Sequence, residues 1–95
     1  MSESTHPSTP ERPKLRVVRV QTGVRIEKRM LKVLKALAEY FDITLGDLLE
    51  GIVLHAFEGK SAFDHKALQR IAALKEVYDM DYDAGASHCL FEENL

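Results

Sequence analysis

Cysteine is nearly absent: Cys89 is the one cysteine among 95 residues. No internal disulfide can form, whereas a secreted domain this small usually needs several. Long apolar runs are missing too. Residues 1–20 lack the ~7–15-residue apolar stretch of a secretion signal, and nowhere do the ~18 uninterrupted apolar residues of a membrane span occur. These absences point to a reduced, cytoplasmic protein without a membrane partner. Proline is confined to residues 1–13, MSESTHPSTPERP, where Ser and Thr fill the gaps and there is little apolar to anchor the segment. That composition predicts a flexible arm. No internal repeat occurs.

What is present describes one small soluble domain, with 45% hydrophobic and 29% charged residues. A two-domain enzyme is excluded by size, and a core this small is often completed by a partner subunit. The net charge of −2 suggests no attraction to polyanions, but it conceals an asymmetry. Residues 12–35 carry nine cations (Arg12, Lys14, Arg16, Arg19, Arg25, Lys28, Arg29, Lys32 and Lys35) against Glu27 alone, a net of +8. Residues 36–95 carry a net of −8, and the first eleven residues −2. A partner feels the local field within a Debye length of ~8–10 Å, so the segments act separately.

From Val18 to Ile26 apolar and β-branched residues alternate with polar ones: Val18, Val20, Thr22, Val24 and Ile26 on one face, Arg19, Gln21, Gly23 and Arg25 on the other. Period two predicts a half-buried strand, which must find a pairing partner for its backbone, most simply the same strand of a second copy. From Lys28 the period becomes helical, with Met30, Leu34, Leu37 and Phe41 as a stripe flanked by Leu31, Val33 and Ala38. Thr44 stands three residues before Asp47, a capping-box spacing that opens a second helix bearing Leu45, Leu48, Leu49, Ile52, Val53, Ala56 and Phe57, with Gly59 suited to end it. Ser61 and Asp64 repeat the spacing ahead of a third helix that turns Phe63, Ala67, Leu68, Ile71, Leu74 and Tyr78 inward and ends near Met80. The resulting division is an arm at 1–13, a strand and helix pair at 14–59, a third helix at 60–80 and an acidic tail at 81–95, part of which docks through Leu90 and Phe91.

The chemistry points to nucleic acid. Arg pairs bidentately with guanine and Gln with adenine, so Arg19, Gln21 and Arg25 on one strand face suit base reading. Lys28 and Arg29 oppose the dipole of the helix they begin, a local cost that a bound phosphate would offset. The stretch VQTGVRIEKRMLKVLKALAEYFDITLGDLLEGIVLHAF, residues 20–57, resembles the ribbon-helix-helix DNA-binding proteins, the Arc and MetJ type repressors, down to the turn Thr44-Leu45-Gly46-Asp47-Leu48-Leu49. The resemblance implies a mainly α fold with one short β-strand, an intertwined homodimer whose strands pair as a two-stranded antiparallel ribbon in the major groove, here with an extra C-terminal helix. It assigns base contacts to Gln21, Gly23 and Arg25. Gly23 departs from the family, which carries a side chain there, so that contact is lost or replaced and Arg19 is the compensating candidate. Phosphate contacts fall on Lys28, Arg29, the helix start at Thr44, Leu45 and Gly46, and on Arg12, Lys14 and Arg16. The dimer core takes Val20, Val24, Ile26, Leu34, Leu37, Leu48, Leu49, Ile52 and Val53.

Other constellations fail. LAEYFDITLGDLL also resembles the late helices of lambda-repressor-like domains, but the chain upstream leaves no room for their recognition helix. Asp79, Asp81, Asp83, Gly85 and Glu92 imitate a calcium loop, yet Gly85 falls on a ligand position and Ala86 on the obligatory glycine. His88 beside Cys89, with scattered His6, His55 and His65, gives no four-ligand metal spacing and no catalytic scaffold. The sequence thus predicts no enzyme, no metal and no cofactor. It predicts a bacterial, nucleoid-associated regulator, a repressor binding a two-fold symmetric double-stranded site. The alternatives are an antitoxin whose residues 60–95 bind a toxin or other basic protein, and a helical homodimeric module without DNA binding.

Overall fold

The computed structural model describes residues 13–93, in which three α-helices follow one another: α1 (Lys28–Phe41), α2 (Leu45–Phe57) and α3 (His65–Val77), with a single 3-10 turn at Ala84–Ala86. The helices begin on side-chain acceptors. Glu27 accepts from the Met30 N–H, Thr44 from Asp47 and Asp64 from Ala67, filling amides that a helix start leaves orphaned. The Thr44 half of the expected capping box is therefore formed. The Ser61 box is not: the Ser61 hydroxyl bonds to the Phe63 backbone, and α3 starts at His65 behind Asp64.

The helices also end alike. Asp42, Gly59 and Asp79 adopt φ of 60°, 67° and 56°. In each case the left-handed residue and the one after it donate back into the last turn, as in Ile43 N–H to Ala38 O, Lys60 N–H to His55 O and Met80 N–H to Lys75 O. This is the Schellman arrangement. Gly59 occupies the place its sequence position suggested; aspartate fills the other two.

Among the described residues there is no strand, and the fold is all-α. The expected strand at Val18–Ile26, and with it the ribbon-helix-helix fold and its intertwined antiparallel ribbon, is overturned. Residues 13–26 run without helix, turn or bend and pair with nothing. Alternation says which face of a segment is apolar; it does not supply the second segment whose N–H and C=O groups make a strand. Val18, Val20 and Val24 are accordingly 92%, 80% and 72% exposed. The radius of gyration of 16.1 Å exceeds the ~12 Å of a compact chain this long.

Helix α1 is central and packs against both α2 and α3. Leu37, Ala38 and Leu48 form the buried cluster, with Leu34, Ile52, Phe63, Ile71 and Leu74 against it; Val33 and Ala67 are also buried. Leu34, Leu37, Leu48 and Ile52, expected in a dimer core, thus fill the core of one chain. Leu49 and Ile26 are half-buried, while Val20, Val24 and Val53 remain on the surface. Beyond α3 the tail folds back over α1: Tyr82 is half-buried, and Leu90, with Met30, Leu34, Ile71 and Met80, lines an open apolar groove of about 540 Å³. Phe91, expected to dock with it, is 92% exposed.

Candidate nucleic-acid interface

The basic residues fall into two sets. Lys14 and Arg16 on the unpaired segment, and Lys28, Lys32 and Lys35 on α1, are exposed and have no ionic partner among the described residues. Lys32 also lies 6.0 Å from the Tyr78 ring centre. The second set is engaged. Arg19 grips Glu50 of α2 through two 2.8 Å bonds. The hydrogen bond and the opposite charge raise the arginine and hold the Glu50 carboxyl below its ordinary value. Arg25 forms the same two-pronged pair with Glu92, its Nε donating at 2.9 Å.

Arg29 is the most connected cation. Its Nε donates to Glu27 at 3.0 Å, and its Nη1 to the Asp79 carbonyl at 3.0 Å and the Asp81 carboxylate at 3.1 Å. The guanidinium lies 5.4 Å from the Tyr82 ring centre, within cation–π range. Glu27 also accepts from the Tyr82 hydroxyl at 2.6 Å and the Met30 amide at 3.1 Å. Burial alone would raise the Glu27 carboxyl, but the hydrogen bonds from Tyr82, Arg29 and the backbone outweigh it and bring it to about 2. Burial and the neighbouring carboxylate push the Tyr82 phenol to about 12. The dipole cost of cations in the first turn of α1 is thus met inside the chain, because Glu27 caps the helix and pairs with Arg29.

The remaining expected contacts are unevenly placed. Gln21 is exposed, and a Cβ at Gly23 would meet open space, so packing does not require glycine there. Thr44 and Gly46 are exposed and Leu45 half-buried at the α2 start. The Thr44 hydroxyl accepts from the Asp47 amide at 3.0 Å, and the Asp47 carboxylate stands in the same turn, where it competes with any phosphate. Arg12 lies outside the described residues. The structure brings Arg25 and Arg29 together with the tail and Arg19 with α2.

Of the four residues that organise this surface, Glu50 and Tyr82 carry no site signal in the sequence, and Asp81 and Glu92 enter it only through the failed calcium-loop pattern. The signal available was the charge split itself, since a +8 and a −8 segment in one chain attract. Among the described residues no cluster of three or more His, Cys, Asp or Glu side chains could hold a metal ion. No helix among them is long and apolar enough to cross a membrane. Compared with protein-family models, curated proteins and solved structures, the chain matches none.

Proposed function

We propose that this chain is a sequence-specific double-stranded DNA-binding protein that acts as a homodimer in the bacterial cytoplasm, at the nucleoid, and represses transcription by occupying its operator. The observation that carries the reading is the unpaired segment from Pro13 to Ile26 running into α1, exposed over nearly all its length, with five cations on the two together that have no ionic partner among the described residues. Such charges gain by displacing counterions from a phosphate backbone. The contact element is the single unpaired segment. Lys14, Arg16 and Lys28 supply affinity; Gln21 and Arg25 are the base-reading candidates, because both can make bidentate contacts with base edges.

A second copy is supported by surplus apolar surface. Val18, Val20 and Val24 on the segment, and Val53, Leu54 and Phe57 on α2, are left to solvent by the single chain. The antitoxin reading has less support, since acids of the tail already hold arginines of their own chain.

The deciding experiment is an anisotropy titration of a mixed-sequence duplex at ~50 and ~200 mM salt, followed by selection from a random pool. Binding should weaken steeply with salt, Lys28→Ala should lower the salt slope by about one, and Arg25→Ala should cost ~1–3 kcal/mol and relax base choice. A flat titration at low salt sinks the reading, and a pool without a two-fold symmetric consensus removes the claim of a specific operator.

A further inference from the structure

We infer that the acidic C-terminal segment, Asp79–Glu92, is a built-in competitor of DNA: it occupies the arginines at the start of α1 and must leave before a phosphate can take them. This inference rests on the DNA-binding reading above. The contacts that carry it join ends of the chain far apart in sequence: Arg25 with Glu92, Arg29 with Asp81 and the Asp79 carbonyl, and Tyr82 with Glu27. Between 79 and 93 the chain carries Asp79, Asp81, Asp83, Glu92 and Glu93 and no lysine or arginine. Charge therefore directs the segment onto the cations rather than merely leaving it beside them.

The chemistry of the match is specific. A carboxylate offers the planar pair of oxygens that a guanidinium fork takes from a phosphate, so Glu92 on Arg25 uses the donors a DNA phosphate or a guanine edge would use. Tyr82 sets the register, with its ring beside Arg29 and its hydroxyl on Glu27. Met80 and Tyr82, half-buried at the rim of the apolar groove, give the segment a foothold independent of salt. The ion pairs themselves are solvent-exposed, where pairs are weak and screened. The lock is therefore reversible. A segment open about a tenth of the time raises the apparent Kd for DNA roughly tenfold, because ligand binds only the open form.

The test uses the full chain and a mixed-sequence 30-base-pair duplex as probe. The variant Asp81→Asn with Glu92→Gln removes two tail charges that touch arginines. The control Glu76→Gln with Glu93→Gln removes two nearby charges, one on α3 and one just past the segment, that have no ion pair among the described residues. Net charge changes equally in both. The contact variant should bind roughly tenfold tighter than wild type and clearly tighter than the control; equal affinities for variant and control overturn the inference while leaving the DNA-binding reading standing. If wild type and every variant give flat titrations, the DNA-binding reading itself has failed and the inference falls with it. A second readout follows the segment directly through a spin label on Cys89, the lone and exposed cysteine. Adding duplex should sharpen its spectrum as the tail is released; an unchanged or broadened spectrum with duplex bound overturns the inference even if the affinities differ.

Discussion

Helices α1 and α2 are nearly equal in length and opposite in character. α1 carries four lysines and arginines and buries three side chains, Val33, Leu37 and Ala38; α2 carries none, is mostly apolar, and buries only Leu48. Hydrophobic content therefore does not decide which helix holds the fold. Position does: α1 is flanked by a helix on each of two sides and covers its narrow apolar stripe from Met30 to Ala38, leaving Phe41 at its end exposed, whereas α2 meets α1 along one line and leaves Val53, Leu54 and Phe57 to solvent. The charged helix is the structural one, and the apolar helix is the one with surface to offer.

Three measurements can break or sharpen this contrast. The largest effect is expected in the core of α1. Leu37→Ala should lose about 2–5 kcal/mol of unfolding free energy through lost burial and the cavity left, whereas Phe57→Ala on α2 should stay within about 0.5 kcal/mol at high dilution. Urea melts over a range of protein concentrations check both. If Phe57→Ala costs as much as Leu37→Ala in dilute solution, the asymmetry is false; if it costs stability only at high concentration, the α2 face is a self-association surface.

The helix ends give an intermediate effect. Asp42 closes α1 and Gly59 closes α2 in the same left-handed conformation, which penalises every residue with a Cβ. Asp42→Gly should stabilise by about 0.5–1 kcal/mol, and Gly59→Ala, where the added Cβ meets no atom, should destabilise by about 1 kcal/mol from conformation alone. Thermal melts of the pair should move in opposite directions.

The helix starts give the smallest effect, read as a titration. α1 is capped by a carboxylate and α2 by a hydroxyl. The Glu27 carboxyl is held at about 2 against an ordinary 4.5, so its contribution is complete above 4.5 and is lost as pH falls from there toward 2. Tyr82 acts at the other limit. Its phenol sits at about 12 against 10, so its contact is complete below 10 and is lost as pH rises toward 12. Helical circular dichroism should show an acid transition that Glu27→Gln flattens, and tyrosinate absorbance a late step that Tyr82→Phe removes.

The helices were legible in the sequence because their determinants are local: 3.6-residue spacing fixed α1 and α2, Thr44 marked a start and Gly59 an end. The third helix begins three residues later than the Ser61 spacing suggested, since Asp64 competes for the same role and wins. The strand failed for a different reason. Its pattern was real, but strand pairing is a property of two segments, and one chain supplies only one. The engaged arginines were hidden for the same reason, because an ion pair joining Arg25 to Glu92 spans 67 positions and leaves no periodic trace. Charge asymmetry is the one long-range signal in the sequence, and it points alike to an outside polyanion and to the chain's own acidic tail.

The unpaired segment has one more consequence, in reach. Fourteen residues of unbent backbone, Pro13 to Ile26, can cover up to about 45 Å when stretched. A full turn of B-DNA advances only ~34 Å. On the proposed DNA-binding reading, one chain anchored by the first turn of α1 can therefore follow a duplex past a complete turn, so a footprint measured on DNA would be longer than the helical body alone, and would shorten from one edge as the segment is trimmed.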